Sequence, residues 1–185
     1  MRNVRRLGLV LVAVCAFGAL AVSSATAHPE FLSSAVGGQL TGKLIQTQVF
    51  NTKFGNVECT ALTVSGETIA LRSLEQHVTV HYSKCTAFGV TATITPALYL
   101  FLSLNAVHVV RPITVTASGC TLTVKPQTVG AILYSSKGTE LIITPEVTNI
   151  AYEGVGSLCS GSAKTGTYKG QSLLSLPGGE VSWME

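Results

Sequence analysis

The stretch from Ile113 to Val124, ITVTASGCTLTV, reads as a complete β-hairpin. Two alternating runs flank Ser118-Gly119, and a two-residue loop at this place sets Ala117 opposite Cys120. With that register one face of the hairpin is wholly apolar and carries the cysteine, while four threonines share the other face. A shift by one residue would bury the threonines, so the turn and the alternation predict the same pairing.

The first 27 residues are predicted to be a secretory signal peptide, because a basic start leads into an apolar run from Leu7 to Val22. Ala25-Thr26-Ala27 then gives a small-x-small cleavage pattern before His28. A membrane span needs about 20 apolar residues, so we expect none after cleavage and predict a secreted or cell-surface protein. The alternatives are an uncleaved anchor, lipidation at Cys15 and twin-arginine export through Arg5-Arg6.

The remaining 158 residues are enough for one well-buried domain. We expect a flexible N-terminal arm over residues 28–42 and a β domain over residues 43–185. The signal peptide holds three of the 12 basic residues, so nine Lys and Arg stand against nine Glu in the mature chain. With this balance and no basic run, no nucleic-acid partner is expected.

Four cysteines remain after cleavage, and in an exported chain an even number favours disulfides. Their spacings of 26, 35 and 39 residues do not match the close pairs of a zinc site. Sequence allows three pairings. We predict Cys59–Cys85 and Cys120–Cys159, because each joins segments within one half of the chain.

The fold class follows from roughly ten short alternating runs with turn signals between them and no long helical pattern. This arrangement is typical of an antiparallel β-sandwich, Ig-like or jelly-roll-like. A closed β-barrel is the alternative. Two small β lobes are a further one, because Cys59 to Val64 partly repeats in Cys120 to Val124.

Motifs that would indicate an enzyme or a cofactor do not occur: the chain has no Asp, no G-x-S-x-G elbow and no H-E-x-x-H helix. We therefore predict a non-enzymatic protein without a cofactor. Aromatic residues beside Gly-rich turns are the candidate ligand-binding residues, since aromatic rings stack on sugars. They are Tyr152, Tyr168 and Trp183.

A copper site is the alternative function. Cleavage after Ala27 would place the amine and imidazole of His28 together at the mature N terminus, where they could bind copper. His77 or His81 would supply a further ligand. These two histidines lie about 13 Å apart along one straight strand, so only one of them could join His28 at a single metal.

Threonine recurs at alternate positions in three of the runs, at residues 91–95, 114–116 and 121–123. Flat rows of threonine can match an ordered polymer or ice. They are also the ordinary residues of a solvent-facing strand.

Four segments of the chain carry a resemblance to known proteins: Glu58-Cys59-Thr60, Tyr82 to Gly89, Cys120 to Gln127 and Gly166 to Gly170. In these segments the chain resembles a group of uncharacterised exported, cysteine-paired β-rich proteins of soil actinobacteria. The resemblance covers most of the mature chain and implies the disulfide pairing above, but no activity, substrate or catalytic residue. Taken together, the sequence predicts an exported cell-surface or extracellular binding or structural module for an unknown glycan or protein.

Overall fold

The computed structural model describes residues 28–159 and 161–185, and within them every regular element is a β-strand. The predicted signal peptide, residues 1–27, lies outside this range. The strands are β1 Glu30–Ser33, β2 Gln39–Thr52, β3 Gly55–Glu67, β4 Arg72–Ser73, β5 Glu75–Ala87, β6 Val90–Ile94, β7 Ala97–Leu102, β8 Ala106–Val109, β9 Ile113–Ala117, β10 Cys120–Val124, β11 Gln127–Gly130, β12 Ile132–Lys137, β13 Glu140–Val155, β14 Gly161–Ser175 and β15 Val181–Met184.

Eight of these strands form a closed antiparallel barrel in the order β5-β3-β2-β14-β13-β10-β9-β6. The pairing of β6 back onto β5 closes it. The barrel alternative is therefore confirmed, and the leading expectation of a sandwich is not. Both architectures bury alternate residues of each strand, so alternation alone does not distinguish them; the closing pair β5–β6 does.

The strands β5 and β13 are long enough that each pairs with two shorter strands along one edge, one near either end. The shorter strands therefore form two tiers. One half of β5 pairs with β6 and the other half with β7, and β13 likewise pairs with β10 at one end and β12 at the other. We call β6, β9 and β10 the first tier, and β7, β8, β11 and β12 the second tier. All twelve strands belong to one sheet, so the alternative of two small β lobes is not found.

The hairpin of β9 and β10 has the predicted register. Ala117 pairs with Cys120, Val115 with Leu122, and Ile113 with Val124. All six of these side chains are buried, and the threonines face outward. Gly119 has φ of 73°, the left-handed conformation that favours glycine in such a turn.

Both predicted disulfides are present. Cys59 and Cys85 are direct partners on β3 and β5, with their Cα atoms 4.1 Å apart. Cys120 on β10 is joined to Cys159 beyond the end of β13, with a Cα separation of 5.3 Å. The first bridge thus joins neighbouring strands, and the second ties the Gly-rich turn between β13 and β14 to the barrel.

A three-stranded sheet of β15, β1 and β4 packs beside the barrel. Its core is Phe31. The centroid of the Phe31 ring lies 5.0 Å from that of Tyr134 and 4.9 Å from that of Trp183. Phe31 is only 4% exposed and Leu40 only 1%. The segment 28–42, expected to be a flexible arm, therefore contributes β1 and the start of β2, because these apolar residues find buried partners. No helix able to cross a membrane occurs in the part of the chain that the structure describes.

Candidate functional site

A cavity of about 120 Å³ lies inside the barrel, at the level where the two tiers meet. Each of the twelve strands of the large sheet contributes at least one residue to its wall. Most of these residues are Val, Ile, Leu or Phe. The wall is polar only where it includes Gln48, Tyr82, Tyr99, Tyr168 and Ser172.

Four of these polar residues are brought together from four different strands. Gln48 lies on β2, two residues before Phe50, and so points to the same inner side of the sheet. Tyr168 on β14 pairs with Phe50, while Tyr82 lies on β5 and Tyr99 on β7. The barrel thus sets polar side chains from distant parts of the chain side by side inside an apolar wall.

The four side chains form one continuous set of hydrogen bonds, which we call the tyrosine cluster: Gln48, Tyr82, Tyr99 and Tyr168. The hydroxyl of Tyr82 lies 3.0 Å from that of Tyr99 and 3.0 Å from that of Tyr168. The hydroxyl of Tyr168 lies 2.5 Å from the amide oxygen of Gln48. Across the described residues no buried side-chain nitrogen or oxygen lacks a partner, so each polar group of the cluster has at least one hydrogen bond.

Gln48 is also bonded to the backbone on its other side. Its amide nitrogen donates to the carbonyl oxygens of Gln46 and Gln171, each at 3.2 Å. Both bonds lie where the pairing of β2 with β14 is irregular, next to Gln171. The side chain, only 3% exposed, therefore fills a gap in the ladder and presents its oxygen to Tyr168.

Two glycines of the sequence GTYKG allow this approach. A Cβ at Gly170 would lie 2.3 Å from the amide oxygen of Gln48. A Cβ at Gly166 would lie 2.6 Å from the carbonyl oxygen of Asn51 and 2.7 Å from the ring of Phe50. Because Cβ atoms do not come this close to other atoms, a side chain at Gly166 would push against the backbone of Asn51, and one at Gly170 would displace the amide of Gln48.

Burial keeps the phenols of the cluster neutral. Loss of solvation raises the pKa of Tyr82, Tyr99 and Tyr168, and the charge of a neighbouring phenolate would raise it further. A hydrogen bond from Tyr99 to Tyr82, and one from Tyr82 to Tyr168, acts in the opposite direction without cancelling the effect of burial. All three retain some accessible surface, and because they line the cavity we attribute that surface to its interior. At neutral pH the cavity therefore presents uncharged hydroxyl groups and hydrocarbon.

The three aromatic residues expected to bind a ligand lie in three different places. Tyr152 is only 1% exposed, and its hydroxyl accepts a hydrogen bond from the backbone N–H of Lys53. Trp183 packs in the three-stranded sheet against Phe31. Tyr168 alone lines the cavity. They do not form a shared surface groove, because two of them complete apolar packing.

The three histidines of the copper hypothesis are all exposed. His77 is the strand partner of Leu100 on β7, and His81 that of Thr63 on β3. In residues 28–159 and 161–185, no group of three or more His, Cys, Asp or Glu side chains is placed to hold a metal ion. The copper site stays a prediction that this arrangement does not favour.

Six threonines on the outside of the first tier form a regular array, the threonine surface. One row runs through Thr93, Thr116 and Thr121, which are consecutive partners on β6, β9 and β10. A second row lies beside it, in which the backbone N–H of Thr95 donates to the carbonyl of Thr114 and Thr123 pairs with Thr114. All six are at least partly exposed. They are Thr93, Thr95, Thr114, Thr116, Thr121 and Thr123.

Sequence reasoning missed Gln48, Tyr82 and Tyr99 as members of one site. One signal was available in the sequence: Gln48 stands two residues before Phe50 and so shares its side of a strand, and a buried amide needs internal partners. Alternation cannot show which partners those are. They lie 34, 51 and 120 residues further along the chain.

No protein-family model matches this chain, and no curated protein or solved structure matches it either.

Proposed function

We propose that this protein is an exported binding protein that holds a small, mostly apolar molecule inside its barrel. The observation that carries the proposal is the apolar cavity with a single polar cluster on its wall. Ligand sites in proteins share this design, in which hydrocarbon supplies affinity and a few placed polar groups fix orientation. Eight-stranded barrels are also of a size that can enclose one small ligand.

The volume of the cavity sets the size of the ligand. A dry apolar cavity of about 150 Å³ takes up benzene. At about 120 Å³ this cavity suits a molecule with a ring of five or six atoms. Burying such a molecule would stabilise the complex through removal of its apolar surface from water, about 25 cal/mol for each Å².

Location outside the cytoplasm is supported by two features. The start of the sequence has the pattern of a signal peptide. The two disulfides are compatible with an oxidising compartment, where such bonds persist. An exported binder of small apolar molecules would meet them in the medium or at the cell surface.

The test is calorimetric titration of the purified mature chain with cyclopentane and with benzene, together with the thermal midpoint at saturating ligand. We expect saturable binding and a raised midpoint, since a ligand that binds only the folded state stabilises it. Val147→Phe places a ring in the cavity wall and should abolish binding. Val155→Phe makes the same change at an exposed residue and should leave binding intact.

Two results would contradict the proposal. One is a wild-type chain that binds neither hydrocarbon, and the other is binding that survives Val147→Phe unchanged. In the second case the hydrocarbon would occupy some other part of the molecule.

The threonine surface supports a second candidate, adhesion to an ordered glycan. Its row of Thr93, Thr116 and Thr121 repeats hydroxyl and methyl groups at the spacing of neighbouring strands, about 4.8 Å. Sedimentation of the protein with insoluble cellulose and chitin tests it. Thr116→Lys in the threonine surface should prevent sedimentation of the protein with the polymer. Thr63→Lys, at an exposed position of β3 outside that surface, should not. Equal sedimentation of the two variants would exclude the threonine surface as the contact.

A further inference from the structure

The tyrosine cluster has a fixed hydrogen-bond direction, and from it we infer that the cavity selects ligands that donate a hydrogen bond. The preferred ligand class is a small apolar molecule with one hydroxyl or amino group. Molecules of the same size with only an acceptor, such as ketones, find no free hydrogen in the tyrosine cluster and are disfavoured there. This inference rests on the proposed function, because it specifies which apolar molecules the cavity holds.

The direction begins at Gln48. Its amide contacts two backbone carbonyl oxygens, those of Gln46 and Gln171, and only an NH₂ group can bond to both. The nitrogen must therefore lie on that side, and the oxygen must face Tyr168. The reverse orientation is excluded, because it would place the amide oxygen of Gln48 against the carbonyl oxygens of Gln46 and Gln171.

The remaining hydrogens follow in sequence. The amide oxygen carries no hydrogen, so Tyr168 donates its single hydroxyl hydrogen to Gln48. The contact of Tyr168 with Tyr82 then needs the hydrogen of Tyr82. The contact of Tyr82 with Tyr99 in turn needs the hydrogen of Tyr99. Every hydroxyl hydrogen of the cluster is thereby committed.

The cluster can still accept a hydrogen bond, although it has no free hydrogen to donate. Tyr168 and Tyr82 each accept one hydrogen bond within the chain, whereas the oxygen of Tyr99 accepts none from it. A ligand hydroxyl can donate to Tyr99 without disturbing any existing bond. From the tyrosine cluster, a ketone obtains a hydrogen only if one bond of the cluster breaks, which leaves a buried acceptor unpaired. Ser172, the other hydroxyl of the wall, is the same in every protein compared below.

The experiment compares cyclopentanol, cyclopentanone and cyclopentane by calorimetric titration. The affinity ratio of alcohol to ketone is measured in the wild type and in Tyr168→Phe. That variant separates Tyr82 and Tyr99 from Gln48, so their two hydroxyls no longer have a fixed direction and one hydrogen becomes free for the ligand. Comparing ratios between proteins cancels the different hydration of the two ligands.

We expect the ratio to fall about three- to tenfold in Tyr168→Phe, as one neutral hydrogen bond predicts. Gln48→Met removes the terminal acceptor and should change the ratio in the same direction. The matched control is Tyr134→Phe. The hydroxyl of Tyr134 donates to the carbonyls of Leu102 and Ala106, apart from the cluster, so its loss should leave the ratio as in the wild type.

The outcomes separate the inference from the function on which it rests. Binding of cyclopentane with equal ratios in the wild type and Tyr168→Phe would overturn the donor preference and leave the binding function standing. Failure of all three probes to bind would overturn both. If neither variant folds, NMR of the wild-type hydroxyl protons decides: cyclopentanol should leave all three tyrosine protons in place, and displacement of the Tyr99 proton would contradict the inference.

Discussion

The side-chain amide of Gln127 pairs with the backbone of Ala151 as a neighbouring strand would. Its nitrogen donates to the carbonyl of Ala151 at 2.8 Å, and its oxygen accepts from the N–H of Ala151 at 2.9 Å. The contact lies just past the last residue pair of β10 and β13, Val124 with Tyr152. Pro126, which has no N–H, stands between the tiers at this point. Gln127 therefore continues the ladder from the first tier to the second.

Substitution of Gln127 should open this junction locally. Gln127→Glu keeps an acceptor for the Ala151 N–H but loses the donor, whereas Gln127→Ala loses both. We expect the amide of Ala151 to stay protected from hydrogen exchange in the first variant and to exchange faster in the second. The free energy of unfolding should fall by about 1 kcal/mol or less, because the site is partly exposed. Gln46→Ala on the outside of β2 is the control, and similar exchange in all three proteins would contradict the assignment.

Each disulfide should stabilise the barrel by a comparable amount. The bridges close loops of 26 and 39 residues, which corresponds to about 3.5 and about 4 kcal/mol. We expect Cys59→Ala with Cys85→Ala, and Cys120→Ala with Cys159→Ala, to lower the urea midpoint by similar amounts. Reducing agent should lower the midpoint of the wild type but leave a four-alanine variant unaffected. A wild-type midpoint that ignores reduction would show that the bridges contribute nothing.

Alkaline pH should destabilise the fold through its buried phenols. Burial raises the pKa of Tyr82, Tyr99, Tyr134 and Tyr168 above the ordinary value of about 10. The unfolded chain releases these protons first, so the stabilisation is fully present below pH about 10 and is lost as pH rises from there towards the raised pKa of the folded state. Urea midpoints measured from about pH 8 upward should fall only beyond about pH 10.

The slope of stability against pH shows how many buried tyrosines cause the loss. Each buried phenol contributes up to about 1.4 kcal/mol for each pH unit, so Tyr134→Phe should make the decline shallower by one such increment. Tyrosinate absorbance should rise together with unfolding rather than before it. Early ionisation of these four tyrosines in the folded state would contradict the assigned burial.

Gly170 should not tolerate even alanine. Its Cβ would meet the amide of Gln48 and displace it from both Tyr168 and the backbone carbonyls. We expect Gly170→Ala to lower the free energy of unfolding by about 1 to 3 kcal/mol, the cost of unpaired buried polar groups. Gly130→Ala is the control, since its nearest neighbour would lie 4.0 Å away. Equal stability of the two variants would show that Gln48 moves aside at little cost.

The sequence predicts local pairings here far better than the overall closure. The register of the β9–β10 hairpin follows from Ser118-Gly119 and the alternation beside it, because both act over a few residues. The disulfide pairing follows from separation along the chain. The barrel closes because β6 pairs with its sequence neighbour β5 on one side and with the more distant β9 on the other, and neither β6 nor β9 carries a residue that specifies this second pairing.

The lengths of the strands also could not be predicted from the sequence. Proline ordinarily interrupts a strand, yet β13 continues through Pro145, because this residue pairs with Ile132 at the end of β12 where the neighbouring strand changes. Conversely, the mostly apolar stretch from Val129 to Tyr134 is divided between β11 and β12 at Ala131, which takes φ of 62°. The tyrosine cluster depends on these long strands, so its members could be predicted as buried but not as neighbours.

The pairing of β2 with β14 has a consequence for how the chain folds. The edge of β2 is completed by residues far away, as in the bond between Asn51 and Thr167, which are 116 positions apart. A chain that emerges from its N terminus must therefore carry an open β2 edge until almost all of it has been delivered. Open edges pair readily with other chains, and such distant pairing makes folding slow. The yield of folded protein should consequently fall as the protein concentration rises. The protein is most prone to aggregate in the interval before β14 is available to pair with β2.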